Sequence, residues 1–387
     1  MHTLFLNLIS LEAIGVISYI LTFIYVIIVI TFIIGWHKLA AYKTTKYTPT
    51  TKVSILVAAR NEANHIGKTI NDLLVQDYPS SLFEIIIIND HSTDETGAIV
   101  TSFASDGVKL INLNEEKALN SYKKKAIQTA IAQSTGDLII TTDGDCSMGI
   151  NWLKTIVSFY EAHDFKMISS PVAYFDEQNI FEKCQTLEFS YLIGLGASTI
   201  GNKKPTTCNG ANLAYERKAF DEVKGFKGID DLASGDDELL LHKVAAQYDN
   251  KIGFLKNTDA IVYTRAKPSL TDFIQQRKRW ASKSTRYKNK AIVFLGLVVW
   301  LFNLSIIVNA VFALIFPNSS FWQIFGVQLL AKLMVEMIFL YGITSFFKRK
   351  KLLVLQPLIS TLHIIYIVYI GIAGNSGKYN WKDRMVK

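Results

Sequence analysis

Apolar positions in this chain gather at its two ends. From Ile14 to Ile34 it reads IGVISYILTFIYVIIVITFII, with no charged residue. A helix of that length crosses a hydrocarbon core of about 30 Å. A cleaved signal peptide would need a basic start, a shorter apolar run and small residues at its end. Here the start carries Glu12 and no Lys or Arg, and the run closes on Trp36, His37 and Lys38. The pattern predicts a retained membrane anchor.

The C-terminal part repeats the signal. Ala291–Phe316 is apolar up to Pro317, Phe321–Phe347 is broken only by Lys332 and Glu336, and Leu352–Ala373 is apolar again. Lys332 and Glu336 are four residues apart, hence on one helical face, which predicts an ion pair. Two or three membrane helices are expected in 291–374. The basic run Lys348–Lys351 belongs on the cytoplasmic side, as do Lys38, Lys43, Lys46 and Lys52 after the first span. Lys283, Arg286, Lys288 and Lys290 before the second carry the same signal. The tail 375–387 is also basic (Lys378, Lys382, Arg384, Lys387). Three full C-terminal spans would put that tail outside. The two signals agree if one hydrophobic segment is re-entrant or lies in the interface.

Between the ends the pattern changes. Val53–Ala58 (VSILVA), Glu84–Ile88 (EIIII) and Leu138–Thr141 (LIIT) read as buried parallel strands. Gly67–Val75 and Lys123–Gln133 read as crossover helices. The alternation predicts an α/β domain over 38–290 with a mostly parallel sheet, whose ligands bind at the carboxyl ends of the strands. Residues 1–37 form the expected anchor.

Composition sharpens this picture. Half the residues are hydrophobic, 19% are charged, and 41 Lys+Arg against 33 Asp+Glu give +8. The apolar content excludes a disordered chain. Three cysteines in so long a chain exclude a disulfide scaffold. The basic residues cluster at membrane flanks, so the charge speaks for membrane orientation rather than nucleic-acid binding.

The carboxylates sit at predicted strand ends. Asp90, in Asn89-Asp90-His91-Ser92-Thr93-Asp94, suits a turn or N-cap and equally a contact to a base or ribose. Asp143-Gly144-Asp145 is either an acidic turn or a pair able to reach one hard cation, Mg²⁺ or Mn²⁺. Asp236-Asp237-Glu238 opens an amphipathic helix, where acids complement the dipole and where one could act as general base. Gln276-Arg277-Lys278-Arg279-Trp280 is a basic membrane flank. Its Arg279 could also bind phosphate, and its Trp280 could wall an acceptor.

These segments occur in one order with VSILVAARNEANHI (Val53–Ile66), INDHSTD (Ile88–Asp94), YKKKAI (Tyr122–Ile127), TTDGDC (Thr141–Cys146), CNGANLAYERKAF (Cys208–Phe220), SGDDELLLHK (Ser234–Lys243) and QRKRW (Gln276–Trp280). Together they resemble a membrane-bound family 2 glycosyltransferase, inverting and with the GT-A (nucleotide-diphospho-sugar transferase) fold. The resemblance implies Arg60, Asn61, Glu62, Asp90 and Lys123 around the nucleotide, although Asn89 replaces the first Asp of the usual pair and Tyr122 stands where Gly is common. It implies Asp143 and Asp145 as the metal motif, with Asp145 as the direct ligand and Cys146 packed behind the pair. It implies Asp236 as catalytic base, with Asp237 a rival because Ser-Gly-Asp lacks the usual preceding acid. Gln276, Arg279 and Trp280 match QxxRW, and Asn209, Gly210 and Asn212 match the acceptor side.

The expected function is transfer of a sugar from a nucleotide-sugar, foremost a UDP-sugar, to a lipid or other membrane-associated acceptor. The expected setting is a bacterial inner membrane with the catalytic domain cytoplasmic. A processive polysaccharide synthase is the alternative, since QRKRW is shared with such enzymes. A non-enzymatic basic membrane protein is a remote one.

Overall fold

The computed structural model describes residues 2–44, 48–115, 121–374, 379–381 and 384–386. Lys46, Lys378, Lys382 and Lys387, which entered the charge pattern above, lie outside the described residues. The chain opens with α1 (His2–Lys38). It then alternates β1 (Val53–Ala59), α2 (Ile66–Leu74), β2 (Phe83–Asn89), α3 (Thr96–Ser102), β3 (Val108–Asn112), α4 (Tyr122–Gln133) and β4 (Leu138–Asp143). The three strands and two helices expected from the pattern are all present, with ends shifted by one or two residues. In α2, Ile66, Thr69, Ile70 and Leu73 are the buried positions, the i, i+3, i+4, i+7 stripe of a helix that covers a sheet.

Past β4 come β5 (Ser147–Met148), α5 (Trp152–Ala162), β6 (Met167–Ser169), β7 (Val172–Tyr174), α6 (Ile180–Gly201), β8 (Leu213–Glu216), α7 (Arg217–Glu222), α8 (Glu238–Gln247), β9 (Ile252–Phe254), β10 (Val262–Thr264) and α9 (Leu270–Ser282). Seven strands form one sheet in the order β3-β2-β1-β4-β8-β6-β9. The first four are mutually parallel, and β8 is antiparallel to both its neighbours. Strand order reverses at β1 and β4, and there the carboxyl ends leave an open crevice. Register places Ala59 beside Asn89 and Ala58 beside Asp143, so Arg60 and Asp90 emerge together, one residue past the level of Gly144. A second sheet, β5-β10-β7, closes the far side.

The membrane part is α1 with α10 (Lys290–Ile315), α11 (Phe321–Phe346) and α12 (Gln356–Ala373). Among the described residues four helical stretches are long and apolar enough to cross a membrane, the last counted from Lys350. Their outer faces expose Ile20, Phe23, Phe294, Leu314, Leu330 and Ile365, as a lipid-facing surface requires. Their interior is filled: Phe302 stacks on Tyr25, and Asn309, Gln328 and Ser18 are hydrogen-bonded across three helices.

Helix α6 joins the two halves. It crosses α1 where Gly35 meets Gly201, so closely that a Cβ on Gly201 would lie 2.2 Å from the Gly35 carbonyl. Its Tyr191 packs edge-on against Phe339 of α11, and Leu187 clusters with Leu340 and Leu352.

Helix α12 does not run as a full span would. Its start lies against the middle of α11, with Gln356 donating to the Leu333 carbonyl and Ser360 to Glu336. Its end lies against α9 and the first half of α10. Trp300 donates to the Val368 carbonyl, Lys278 sits over the Tyr369 ring, and Gly374 touches Ala281. A helix crossing to the opposite face would instead end beside the Ile315–Phe321 turn.

Candidate active site

At the carboxyl edge of the sheet a cleft of about 820 Å³ opens. One wall is the strand ends. Arg60 is buried and its guanidinium donates to the carbonyls of Asp90 (3.0 Å) and His91 (2.6 Å), which fixes the β2 turn against β1. Asn61 and His91 both adopt left-handed backbone (φ 51° each). The His91 ring nitrogen Nδ1 lies 3.0 Å from Asp90 Oδ1 and orients that carboxylate. Glu62, Asp90, Asp143 and Asp145 line the cleft.

Lys123, at the start of α4, bridges two carboxylates. Its Nζ is 2.7 Å from Asp143 Oδ1 and 3.3 Å from Asp236 Oδ2. Burial opposes its charge, but Asp143 and Asp236 outweigh it and hold the ammonium above its ordinary value. The three adjacent acids divide their work. All three line the cleft, and Asp236 turns its Oδ2 toward Lys123. Asp237 caps α8: Oδ1 accepts from the Glu238 amide (2.6 Å), Oδ2 accepts from the Gly210 amide (3.1 Å), and Lys283 lies 3.6 Å away. Burial pushes Asp237 up, but Lys283 and these amides hold it below the ordinary carboxylate value. Glu238 binds Lys283 (3.1 Å), Thr207 (2.7 Å) and Tyr287.

The opposite wall is α6 and α9. Gln276, Arg279 and Trp280 line the cleft, and Phe189 of α6 tilts against Trp280 at 6.0 Å. Between them is Arg277, which the motif reading passed over. It is 2% exposed, paired through both Nε and Nη2 with Glu188 of α6, and flanked by the rings of Trp280 (4.2 Å) and Phe273 (4.5 Å). It donates to Gln276 Oε1 at 2.6 Å. Burial opposes its charge, while Glu188 holds it above even the usual guanidinium value. The signal that could have found Arg277 is its spacing: Phe273, Arg277 and Trp280 share one face of α9.

Two expected site residues stand apart from the cleft. Asn212 is fully buried, accepts from Trp152 Nε1 (3.0 Å) and donates to the carbonyls of Pro171 (2.8 Å) and Ala260 (2.7 Å). Its amide is spent on joining β8 to the second sheet, so it reaches the cleft only through the backbone of the segment it anchors. Asn61 turns away too, its carbonyl oxygen accepting from the Thr93 amide at 2.9 Å. Asn209 and Gly210 do line the cleft, and Gly210 lies directly under the Asp236–Asp237 pair.

Asp143, Asp145 and Cys146 offer ligand atoms within 4.8 Å of one another. Two carboxylates suit a hard cation such as Mg²⁺ or Mn²⁺. Cys146 is buried beside them, and burial and the two Asp charges push its thiol well up, which favours the two carboxylates as the ligands of a hard cation. The donor set therefore fits an oxygen-liganded divalent ion.

Comparisons with known proteins agree with this geometry. The model of glycosyl transferase family 2 matches residues 54–224. A β-monoglucosyldiacylglycerol synthase of Synechocystis is 26% identical over 234 residues, 60% of this chain and 48% of that protein. A poly-β-1,6-N-acetyl-D-glucosamine synthase of Staphylococcus epidermidis is 28% identical over 149 residues, 37% of this chain and 34% of that protein. The chain thus spans half or less of the length of the curated relatives it matches. A mannosyltransferase of Pyrobaculum calidifontis, solved with GDP-mannose and Mn²⁺, superposes with a TM-score of 0.60 over 92% of this chain and 99% of its own at 17% identity. That likeness shows a shared fold over nearly the whole molecule, the GT-A domain included. Residues 54–224 of this chain thus carry a glycosyl transferase family 2 domain.

Proposed function

We propose that the chain transfers a sugar, with inversion, from a nucleoside-diphosphate sugar to a hydroxyl of a lipid acceptor at the membrane surface. One observation carries this reading. A single cleft has the strand-end carboxylates on one wall and α6 on the other, and the far side of α6 rests on the membrane helices α1 and α11. A donor reaching in from the aqueous side and an acceptor held in the bilayer would meet there. The relative from Synechocystis, a glucosyldiacylglycerol synthase by name, supports a lipid acceptor.

In this reading Arg60 and Asp90 hold the nucleoside end. The diphosphate lies toward Lys123 and Arg279, whose charges offset the negative charge that grows as it leaves. Asp143 and Asp145 would hold a divalent cation, which supplies further neutralisation of the diphosphate. Asp236 takes the proton of the acceptor hydroxyl. The acceptor oxygen forms its bond to the anomeric carbon, and the bond from that carbon to the diphosphate oxygen breaks, its electron pair leaving with the diphosphate. Trp280 and Phe189 form the apolar wall along which the acceptor lies. Asp237 is a poorer base, because both its oxygens already accept amide hydrogen bonds.

The processive alternative requires a path for a polymer. Among the described residues the bundle interior is occupied by side chains, and the space between α6, α11 and α12 is about 20 Å³, room for a water but not a sugar. The path of α12 favours a re-entrant last segment and a tail on the side of the cleft.

The test is to incubate membranes containing the chain with labelled UDP- and GDP-sugars plus Mn²⁺ or Mg²⁺. Label in the lipid extract is the expected result. Label in polymer would support the synthase reading, and label in neither would remove the transferase assignment.

A further inference from the structure

The residue next to Lys123 has a separate task. Lys124 points from α4 to the other side of the same loop and is 1% exposed. Its ammonium donates to the carbonyls of Ile229 (2.6 Å), Leu232 (2.6 Å) and Ser234 (2.7 Å). An ammonium has three donors, and here all three go to one loop. Gly235 follows at once in left-handed backbone (φ +86°), and the next residue is Asp236. A second lysine, Lys243 of α8, grips the start of the same loop at the Gly225 and Lys227 carbonyls.

Filling this space with an apolar side chain would avoid the cost of stripping water from a charge. Burial lowers the Lys124 pKa to about 8, partly offset by Asp236, Asp237, Asp231 and Asp230. A buried cation held by backbone carbonyls alone is a device for geometry rather than for packing. It sets where segment 229–234 ends, and therefore where Asp236 begins.

We propose that Lys124 is a positioning residue for the transfer reaction: it touches neither donor nor acceptor, but clasps segment 229–234 so that Asp236 is held against Lys123 and faces Asp143. The proposal rests on Asp236 acting as base.

The experiment compares the full-length parent with Lys124→Met and Lys124→Arg in detergent. It measures amide hydrogen exchange and kinetics with whichever nucleotide-sugar labels lipid. For Lys124→Met, exchange should accelerate at 229–237 while β1 and β4 stay protected. Turnover should fall about 100-fold with the donor KM changed less than about threefold, the signature of a misplaced group. Lys124→Arg, which restores a charged donor, should recover part of both. Unchanged exchange at 229–237 in Lys124→Met overturns the clasp. Loss of protection across β1 and β4 as well, or failure to fold, overturns it in favour of a general core role. Turnover within about threefold of the parent, with the loop loosened, overturns the link to the reaction. Should the parent turn over no nucleotide-sugar, the function assigned above fails, and the exchange data still decide whether the clasp exists.

Discussion

Buried charge is handled in two opposite ways in this molecule. In the membrane bundle, Glu336 is buried and accepts from three side chains. Oε1 accepts from Lys332 (2.7 Å) and Tyr25, and Oε2 accepts from Ser360 (2.6 Å). In the cleft, Asp143 and Asp236 flank Lys123 and, with Asp145, line a space large enough for a substrate. A carboxylate whose lone pairs are all engaged within the protein can hold structure but has little left for a ligand or a proton. A carboxylate that lines a cleft beside a cation can instead exchange part of its pairing for a ligand.

The largest effect is expected in the bundle. Lys332→Met leaves Glu336 buried without its cation and should cost about 3–5 kcal/mol of stability, read by thermal unfolding in detergent. Pairing it with Glu336→Leu should recover most of that. If Lys332→Met alone unfolds like the parent, the bundle pair is not the structural element described here. In the cleft, Asp236→Asn should lower turnover by about 10²–10⁴ with nucleotide-sugar binding and unfolding unchanged. Asp145→Asn should weaken Mn²⁺-dependent nucleotide-sugar binding by at least about tenfold, measured by calorimetry with and without the metal. Equal affinity in both proteins would move the metal elsewhere.

The smallest effect tests the boundary between the two kinds of site. Asp237→Asn should cost about 1–3 kcal/mol of stability and change turnover of the folded protein far less than Asp236→Asn does. The direction of its pKa shift sets the pH dependence. Held low in the folded state, the Asp237 carboxylate stabilises fully above the ordinary carboxylate range, and that contribution is lost as pH falls through its folded value. The parent should therefore lose more stability than Asp237→Asn on acidification below about pH 4. A parallel loss in both proteins would show that Asp237 is not the cap described.

Much of the sheet was legible from pattern alone. VSILVA, EIIII and LIIT are apolar on both faces, and a strand so composed must lie inside a sheet covered on both sides. The carboxylates were legible as a group because each directly follows such a strand or opens a helix. Their separate tasks were not. Asp236 and Asp237 are chemically identical neighbours, and the Gly210 amide and Lys283, distant in sequence, make one of them a cap. Asn212 sits inside a segment that resembles an acceptor motif, yet Trp152 and two carbonyls claim its amide. Arg277 went unnoticed because its partner Glu188 is 89 residues away.

Local composition by itself determined the membrane segments, the parallel strands and the order of the carboxylate segments along the chain. These follow from hydrophobic period and length, which are short-range quantities. Only the tertiary structure decided which carboxylate caps, which pairs with Lys123, which lysine clasps a loop, and which way α12 runs. Those outcomes depend on hydrogen bonds and close contacts between residues far apart in sequence, and no local pattern encodes such a partner.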